Sequence, residues 1–298
     1  MEKRLSYFQM FVAAIIFGGM VFSGKLFEQM GVSVVEISLI PSIFLSVGLL
    51  LYLREKIFNV SKLGKKYIFL YCVLAAAQCF ATFMPLYLGV SVSLTILLLY
   101  TQPVWTAFIS HFVLKRGTRL FEIVSLILVL IGVVCLVGLS DLSGSLLGVL
   151  LALFAGLTLA LEGFIVEKLS KNDVDANVSY FWMFLFSVFV FSFMGFYFMG
   201  NAKYPEFGLN LFSFDRLDMF LYLALFSFLF CWLGNYLMYK AYKNVSALHG
   251  GLILLLEPVG GVLLDVTILK TPLTDNIVVG GIFILVGNMY LAYKENKE

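Results

Sequence analysis

The chain has 298 residues, of which 61% are apolar and only 13% are Asp, Glu, Lys or Arg, and its formal net charge is +2. That charged share is roughly half that of an average soluble domain, too little to cover a surface facing water. The near-neutral balance leaves no electrostatic footprint for nucleic acid, and the four cysteines lie inside apolar runs without CxxC or metal-ligand spacing, so neither metal nor cofactor is expected.

A bilayer core asks for about 20 apolar residues per helix. Segments of that kind fall at 6–27, 33–53, 66–88, 92–114, 119–138, 145–169, 177–199, 217–242, 246–269 and 274–293. The first is longer than the apolar core of a signal peptide and lacks an A-x-A site, so it reads as a retained span. The expected fold is an all-α polytopic membrane protein with ten transmembrane helices. Only the connections 54–65 and 200–216 are long.

The cations fix an orientation. With the N-terminus in the cytoplasm, the inner face collects Lys3, Arg4, Arg54, Lys56, Lys62, Lys65, Lys66, Lys115, Arg116, Arg119, Lys168, Lys171, Lys240, Lys243, Lys294 and Lys297. The outer face keeps Lys25, Lys203, Arg216 and Lys270. Both termini are therefore expected inside a cell (inner or plasma) membrane.

Shifting the sequence by 155 positions superimposes Tyr87 on Tyr242, Val90 on Val245, Ser91 on Ser246, Pro103 on Pro258, Lys115 on Lys270 and Gly132 on Gly287 without a gap. This predicts an internal duplication, with repeats at 1–140 and 141–298. Five spans is an odd number, so the second repeat is expected upside down relative to the first, with a central site where the halves meet.

These residues resemble the EamA-type members of the drug/metabolite transporter superfamily. The likeness is carried by Y-x-x-V-S, an aliphatic run and a Pro at 87–104 and again at 242–259, by Ile131-Gly132 and Val286-Gly287, and by FGGMVFSGK at 17–25. The resemblance implies ten helices in two five-helix repeats and export of a small metabolite. The sequence departs from the family pattern at 114–117 and 269–272, where LKRG and LKTP carry no acid, and at 39–44, where LIPSIF carries no Arg.

Polar residues inside the spans are the candidate site, because a charge at the bilayer centre costs at least about 2.5 kcal/mol. In chain order, Phe22 is a candidate for the pocket wall, and Lys25 and Glu36 flank the first outer connection as a candidate gate. Tyr100, Gln102 and Trp105 surround Pro103, which removes an N–H in mid-helix. Glu162 lies in the sixth span, and His249 stands two turns before Glu257. Glu257 is the sharpest candidate: a carboxylate beside Pro258, in the place that Gln102 takes in the first repeat. Pro103 and Pro258 are the expected hinges.

The expected function is secondary transport of a small organic molecule, an amino acid or related amine, with the proton as candidate coupling ion. No GxxxxGK[ST] loop is present, so the chain is not expected to hydrolyse ATP or to be an enzyme. The alternatives are a membrane-embedded lipid-modifying enzyme and a channel. The expected partners are the substrate and the bilayer, with the chain a monomer or homodimer.

Overall fold

The computed structural model describes residues 2–30, 32–90, 92–137, 145–199, 208–209, 217–268, 270 and 274–295. Among these residues every regular element is helical. Helices satisfy each backbone N–H and C=O within one segment, which is what an apolar solvent requires.

The first half contains α1 (Glu2–Gln29), α2 (Val34–Leu53), α3 (Lys62–Tyr87), α4 (Val92–Leu99), α5 (Gln102–Phe108) and α6 (Leu120–Val137). The second contains α7 (Leu146–Lys171), α8 (Ala176–Tyr197), α9 (Leu217–Phe226), α10 (Asn235–Ala241), α11 (Ala247–Leu254), α12 (Glu257–Ile268) and α13 (Asp275–Glu295). By length and composition, eight helical stretches among the described residues are apolar and long enough to cross a membrane, and Leu120–Leu136 is a shorter apolar helix. The first helix begins at Glu2 and the third at Lys62, a turn outside the limits drawn from hydropathy. Their polar first turns are helical without being apolar, and hydropathy registers only the apolar part.

The segment expected as one span at 92–114 is α4, α5 and a π-helical turn at Ile109–Val113. The one at 217–242 is α9, a π-helical run at Ser227–Gly234 and α10. The one at 246–269 is broken between α11 and α12. The connection at 54–65 is pinned, since Ile57 is buried and its carbonyl accepts Trp182 Nε1–H at 3.1 Å. The long connection at 200–216 lies outside the described residues, apart from 208–209.

Packing obeys the 155-residue relation. A Cβ on Gly132 would stand 2.7 Å from Gly280 O and from Ile284 Cγ1. A Cβ on Gly287 would stand 2.6 Å from Val129 Cγ2 and 3.2 Å from Ser125 O. Adding 155 to the first member of each contact and subtracting it from the second turns one set into the other, so α6 and α13 meet face to face as equivalents. Likewise α2 packs on α8, α3 packs on α7 as α10 packs on α1, and α4 and α5 pack on α7 as α12 packs on α1. Even the helix ends agree: Lys115 and Lys270, which coincide under the shift, both take the left-handed conformation, with φ 52 and 54.

Side chains such as Leu51, Leu120, Leu146, Phe193 and Met289 are more than two-thirds exposed. An apolar surface on this scale is the face that lipid covers. Salt bridges sit at helix ends: Lys243 holds Asp173 at 2.6 Å, and its ammonium keeps the Asp173 carboxyl below the usual carboxylate range.

Candidate substrate site

Two helix breaks form the centre of the site, and they share an equivalent backbone hydrogen bond. In the first, Thr101 N–H donates to Leu98 O at 3.1 Å; in the second, Leu256 N–H donates to Ile253 O at 3.0 Å. Pro103 and Pro258 follow two residues later. Each lacks the N–H that would reach back to Leu99 or Leu254, so the helix restarts at Gln102 or Glu257. Thr101 Oγ1 also donates to Leu98 O, at 2.6 Å, so that this carbonyl at the break accepts twice from one residue.

Glycines let the two long helices approach these breaks. A Cβ on Gly18 of α1 would stand 2.6 Å from Glu257 O and 2.5 Å from Gly261 N. A Cβ on Gly156 of α7 would stand 3.0 Å from Leu98 O and from Leu99 O, and 2.8 Å from Thr101 Oγ1. Each break is thus backed by the first helix of the other repeat. The broken helices also approach one another, since a Cβ on Gly251 would lie 3.7 Å from Gln102 Nε2 and 3.6 Å from Thr106 Oγ1.

The polar side chains divide into two groups. The first is uncommitted. Among the described residues, no side chain or backbone group hydrogen-bonds the carboxyl of Glu257, which is half-buried. The Gln102 amide is buried and equally without a hydrogen-bond partner among them, only its main-chain carbonyl being used, by Thr106 Oγ1 at 2.9 Å. Glu162 Oε1 and Trp105 Nε1 are buried with no hydrogen-bond partner among them. Gly148 lies beside Leu88 and Val90, and Gly156 beside Leu98 and Leu99, so α7 runs parallel to α4 and α5. Buried polar groups in proteins are nearly always paired, and the unpaired Trp105 Nε1 and Glu162 Oε1, with the Gln102 amide and the half-buried Glu257 carboxyl at the two helix breaks, are the groups left open to a ligand. Tyr100, buried beside the first break, lies within electrostatic range of Glu257.

The second group is committed to the fold. Glu36 completes a capping box at the start of α2, accepting Ser33 N–H at 2.9 Å while its own N–H donates to Ser33 Oγ at 3.1 Å. Its candidate partner Lys25 and the candidate wall residue Phe22 fall on α1, but their side chains lie outside the described residues. His249 is 6% exposed, with Nδ1 2.7 Å from Tyr7 Oη and Nε2 2.7 Å from Glu122 Oε1. Trp232 Nε1 donates to Asn177 Oδ1 at 3.0 Å.

Sequence reasoning passed over Glu122, Glu167 and Tyr7. Glu167 is 2% exposed and accepts from Ala247 N–H at 2.8 Å, Lys171 Nζ at 2.5 Å and Arg116 Nη1 at 3.1 Å. Two acids at the ends of apolar helices look like residues reaching for water, and one partner of each, Ala247 N–H for Glu167 and His249 for Glu122, lies 80 or more positions away. The signal available was the pairing of each acid with a nearby cation, Arg119 with Glu122 and Lys171 with Glu167.

Two cavities among the described residues lie elsewhere. One of about 450 Å³, among the 54–58 turn, α3 and α8, is lined by Phe58, Phe69, Trp182 and Phe189. The other, about 420 Å³, is lined by Arg119, Phe121, Tyr290 and Lys294.

The model of the EamA-like transporter family matches this sequence twice, at residues 4–138 and 146–293. A solved crystal structure, described only as that of a protein, shares 13% identity with the chain over 98% of each, with a TM-score of 0.76, which shows a common fold. No curated protein matches.

Proposed function

The chain belongs to the EamA-like transporter family, and from that premise we propose a secondary carrier that moves an amino acid or related amine by alternating access, in the direction of export. In this reading the chain crosses the cell membrane ten times, as inverted five-helix repeats at 1–140 and 141–298, with both termini in the cytoplasm. Inversion gives two equivalent conformations in which one central site faces opposite sides.

The observation that carries the substrate class is the uncommitted Glu257 carboxyl where α12 begins, in the place of Gln102 at the start of α5. A carboxylate in an apolar setting is a partner for an ammonium group. The amide of Gln102 and the unpaired Trp105 N–H supply donors for the carboxylate of an amino acid, Glu162 on α7 is a second acid without a hydrogen-bond partner for its Oε1, and Tyr100 offers a ring face to a cation. Pro103 and Pro258 act as the hinges, and the proton is the candidate coupling ion.

The test is a thermal-shift panel of amino acids and amines on the purified protein, followed by counterflow of the best ligand in liposomes. The wild type should show saturable counterflow, and Glu257→Gln should bind at least about tenfold more weakly, the worth of one charged hydrogen bond. Flux without counterflow would support the channel, conversion of lipid would support the enzyme, and unchanged binding by Glu257→Gln would remove the acid from the site.

A further inference from the structure

Helices α3 and α8 start at the same end of the bundle, where a Cβ on Gly64 would stand 3.3 Å from Val174 Cγ2, and they pack side by side. Between them, beside the 54–58 turn, lies the cavity of about 450 Å³. We propose that this groove is a binding site for one anionic phospholipid, with an acyl chain between the two helices and the phosphate at Lys65. The lipid site goes beyond the carrier reading and takes from it only the leaflet, since the end that carries Lys65 is cytoplasmic in that reading.

Helical spacing builds the groove. α3 supplies Lys65, Ile68, Phe69 and Cys72, a stripe at i, i+3, i+4 and i+7. α8 supplies Trp182, Leu185, Phe186 and Phe189 at the same spacing. Each stripe rises about 10 Å along its helix, so the two apolar walls follow the direction in which a lipid chain lies. The 54–58 turn fixes one end: Ile57 O accepts Trp182 Nε1–H at 3.1 Å, and the Phe58 and Trp182 rings are 6.2 Å apart. With its N–H used, Trp182 offers the groove only its ring. Phe58, Phe69 and Phe189 remain about two-thirds exposed, which leaves the groove open to the bilayer along its length.

Charge selects the occupant. Among the described residues that line the groove, Lys65 alone is charged, and it lies in the first turn of α3. Arg54, Lys56, Lys62 and Lys66 surround it in the sequence, all exposed, and Glu55 is the one acid between positions 54 and 66. Among the described residues none of these five cations forms an ion pair. The acids of the neighbouring α7–α8 connection are already engaged: Lys243 holds Asp173, and Asp175 caps α8 by accepting from the Asn177 and Val178 N–H groups. An apolar groove alone would take any lipid chain. One that ends at an unpaired ammonium among further cations favours a head group of net negative charge. A zwitterionic head brings an ammonium of its own to the same place and gains less. The groove also lies where the repeats meet, since α3 falls in the family match at 4–138 and α8 in the one at 146–293, so its lipid joins the two halves.

The test reads Trp182 itself. Trp105→Phe and Trp232→Phe leave it as the single tryptophan of the chain. This protein is placed in phosphatidylcholine vesicles with a minor share of lipid whose chains carry bromine, which quenches tryptophan on contact. Brominated phosphatidylglycerol should occupy the groove about fivefold more strongly than brominated phosphatidylcholine, the preference that one basic residue confers at a membrane surface. Lys65→Gln should remove most of that preference, Lys65→Arg should keep it, and high salt should reduce it. A melting comparison needs no tryptophan variant: phosphatidylglycerol should raise the melting temperature of the parent in detergent more than phosphatidylcholine does, and Lys65→Gln should lose the difference. Equal quenching by the two brominated lipids, or a preference that Lys65→Gln leaves intact, would overturn the lipid site. So would displacement of the brominated lipid by glycerol phosphate, the mark of a site for soluble anions, or a Trp182 that neither lipid quenches, the mark of a groove covered by a second copy of the chain. None of these measurements reads transport, so failure of the lipid site leaves the carrier standing, and failure of counterflow leaves the lipid site standing.

Discussion

Glu167 accepts the backbone N–H of Ala247 at 2.8 Å, and this bond fastens the end of α7 to the first turn of α11. The same carboxylate gathers Arg116, from the connection between the π-helical turn at 109–113 and α6, and Lys171 from its own helix. One buried acid thus fixes three segments where the chain changes direction.

Removing it should be costly. Glu167→Ala leaves the Ala247 N–H without its acceptor, a penalty of about 1–3 kcal/mol. The cations add little to that figure, because their side chains are 51% and 44% exposed and water screens them. Thermal unfolding in detergent should show a clear loss for Glu167→Ala, a smaller one for Glu167→Gln, and little change for Arg116→Ala. Equal melting of Glu167→Ala and the parent would mean that water replaces the carboxylate at Ala247.

The contact of α6 with α13 makes a second prediction. Gly132→Ala puts a methyl group against Gly280 O and Ile284, and Gly287→Ala puts one against Val129. Each should destabilise by about 1–3 kcal/mol, the usual cost of forcing volume into a packed site. Gly281, with nothing within 4 Å of its Cβ position, is the control. Gly281→Ala should melt with the parent, and a comparable loss there would show that the effect is not one of contact.

The helix breaks make a third. Pro103→Ala and Pro258→Ala each return an N–H that can reach Leu99 O or Leu254 O and favour a continuous helix. Melting should change little while counterflow slows, about tenfold if straightening adds 1.4 kcal/mol to the rate-limiting step. Two variants with full transport rates would make the breaks a matter of packing alone.

How much of this is legible in the sequence differs by residue. Pro103 and Pro258 declare their breaks locally, because a missing N–H acts on the chain four residues away, and the 155-residue shift superimposes one on the other. Gly132 and Gly287 are visible as a matched pair, but the contact that makes each necessary is not. The division among the acids is hidden altogether. Glu36, Glu122, Glu162, Glu167 and Glu257 are the same residue type in similarly apolar helices. Three-dimensional contacts separate them: Glu36, Glu122 and Glu167 have close partners, while Glu162 and Glu257 have no hydrogen-bond partner among the described residues. Hydropathy measures burial, and burial alone does not say whether a carboxylate has found a donor.

The central claim is that the uncommitted groups at the two breaks line one site reached from each side of the membrane in turn. The most direct measurement is the reactivity of a single cysteine at Gln102, in the protein lacking its native cysteines, toward an impermeant maleimide in right-side-out and in inside-out vesicles. The account predicts labelling from both sides, slowed on both by the ligand that shows counterflow. Labelling confined to one side, or to neither, would contradict it.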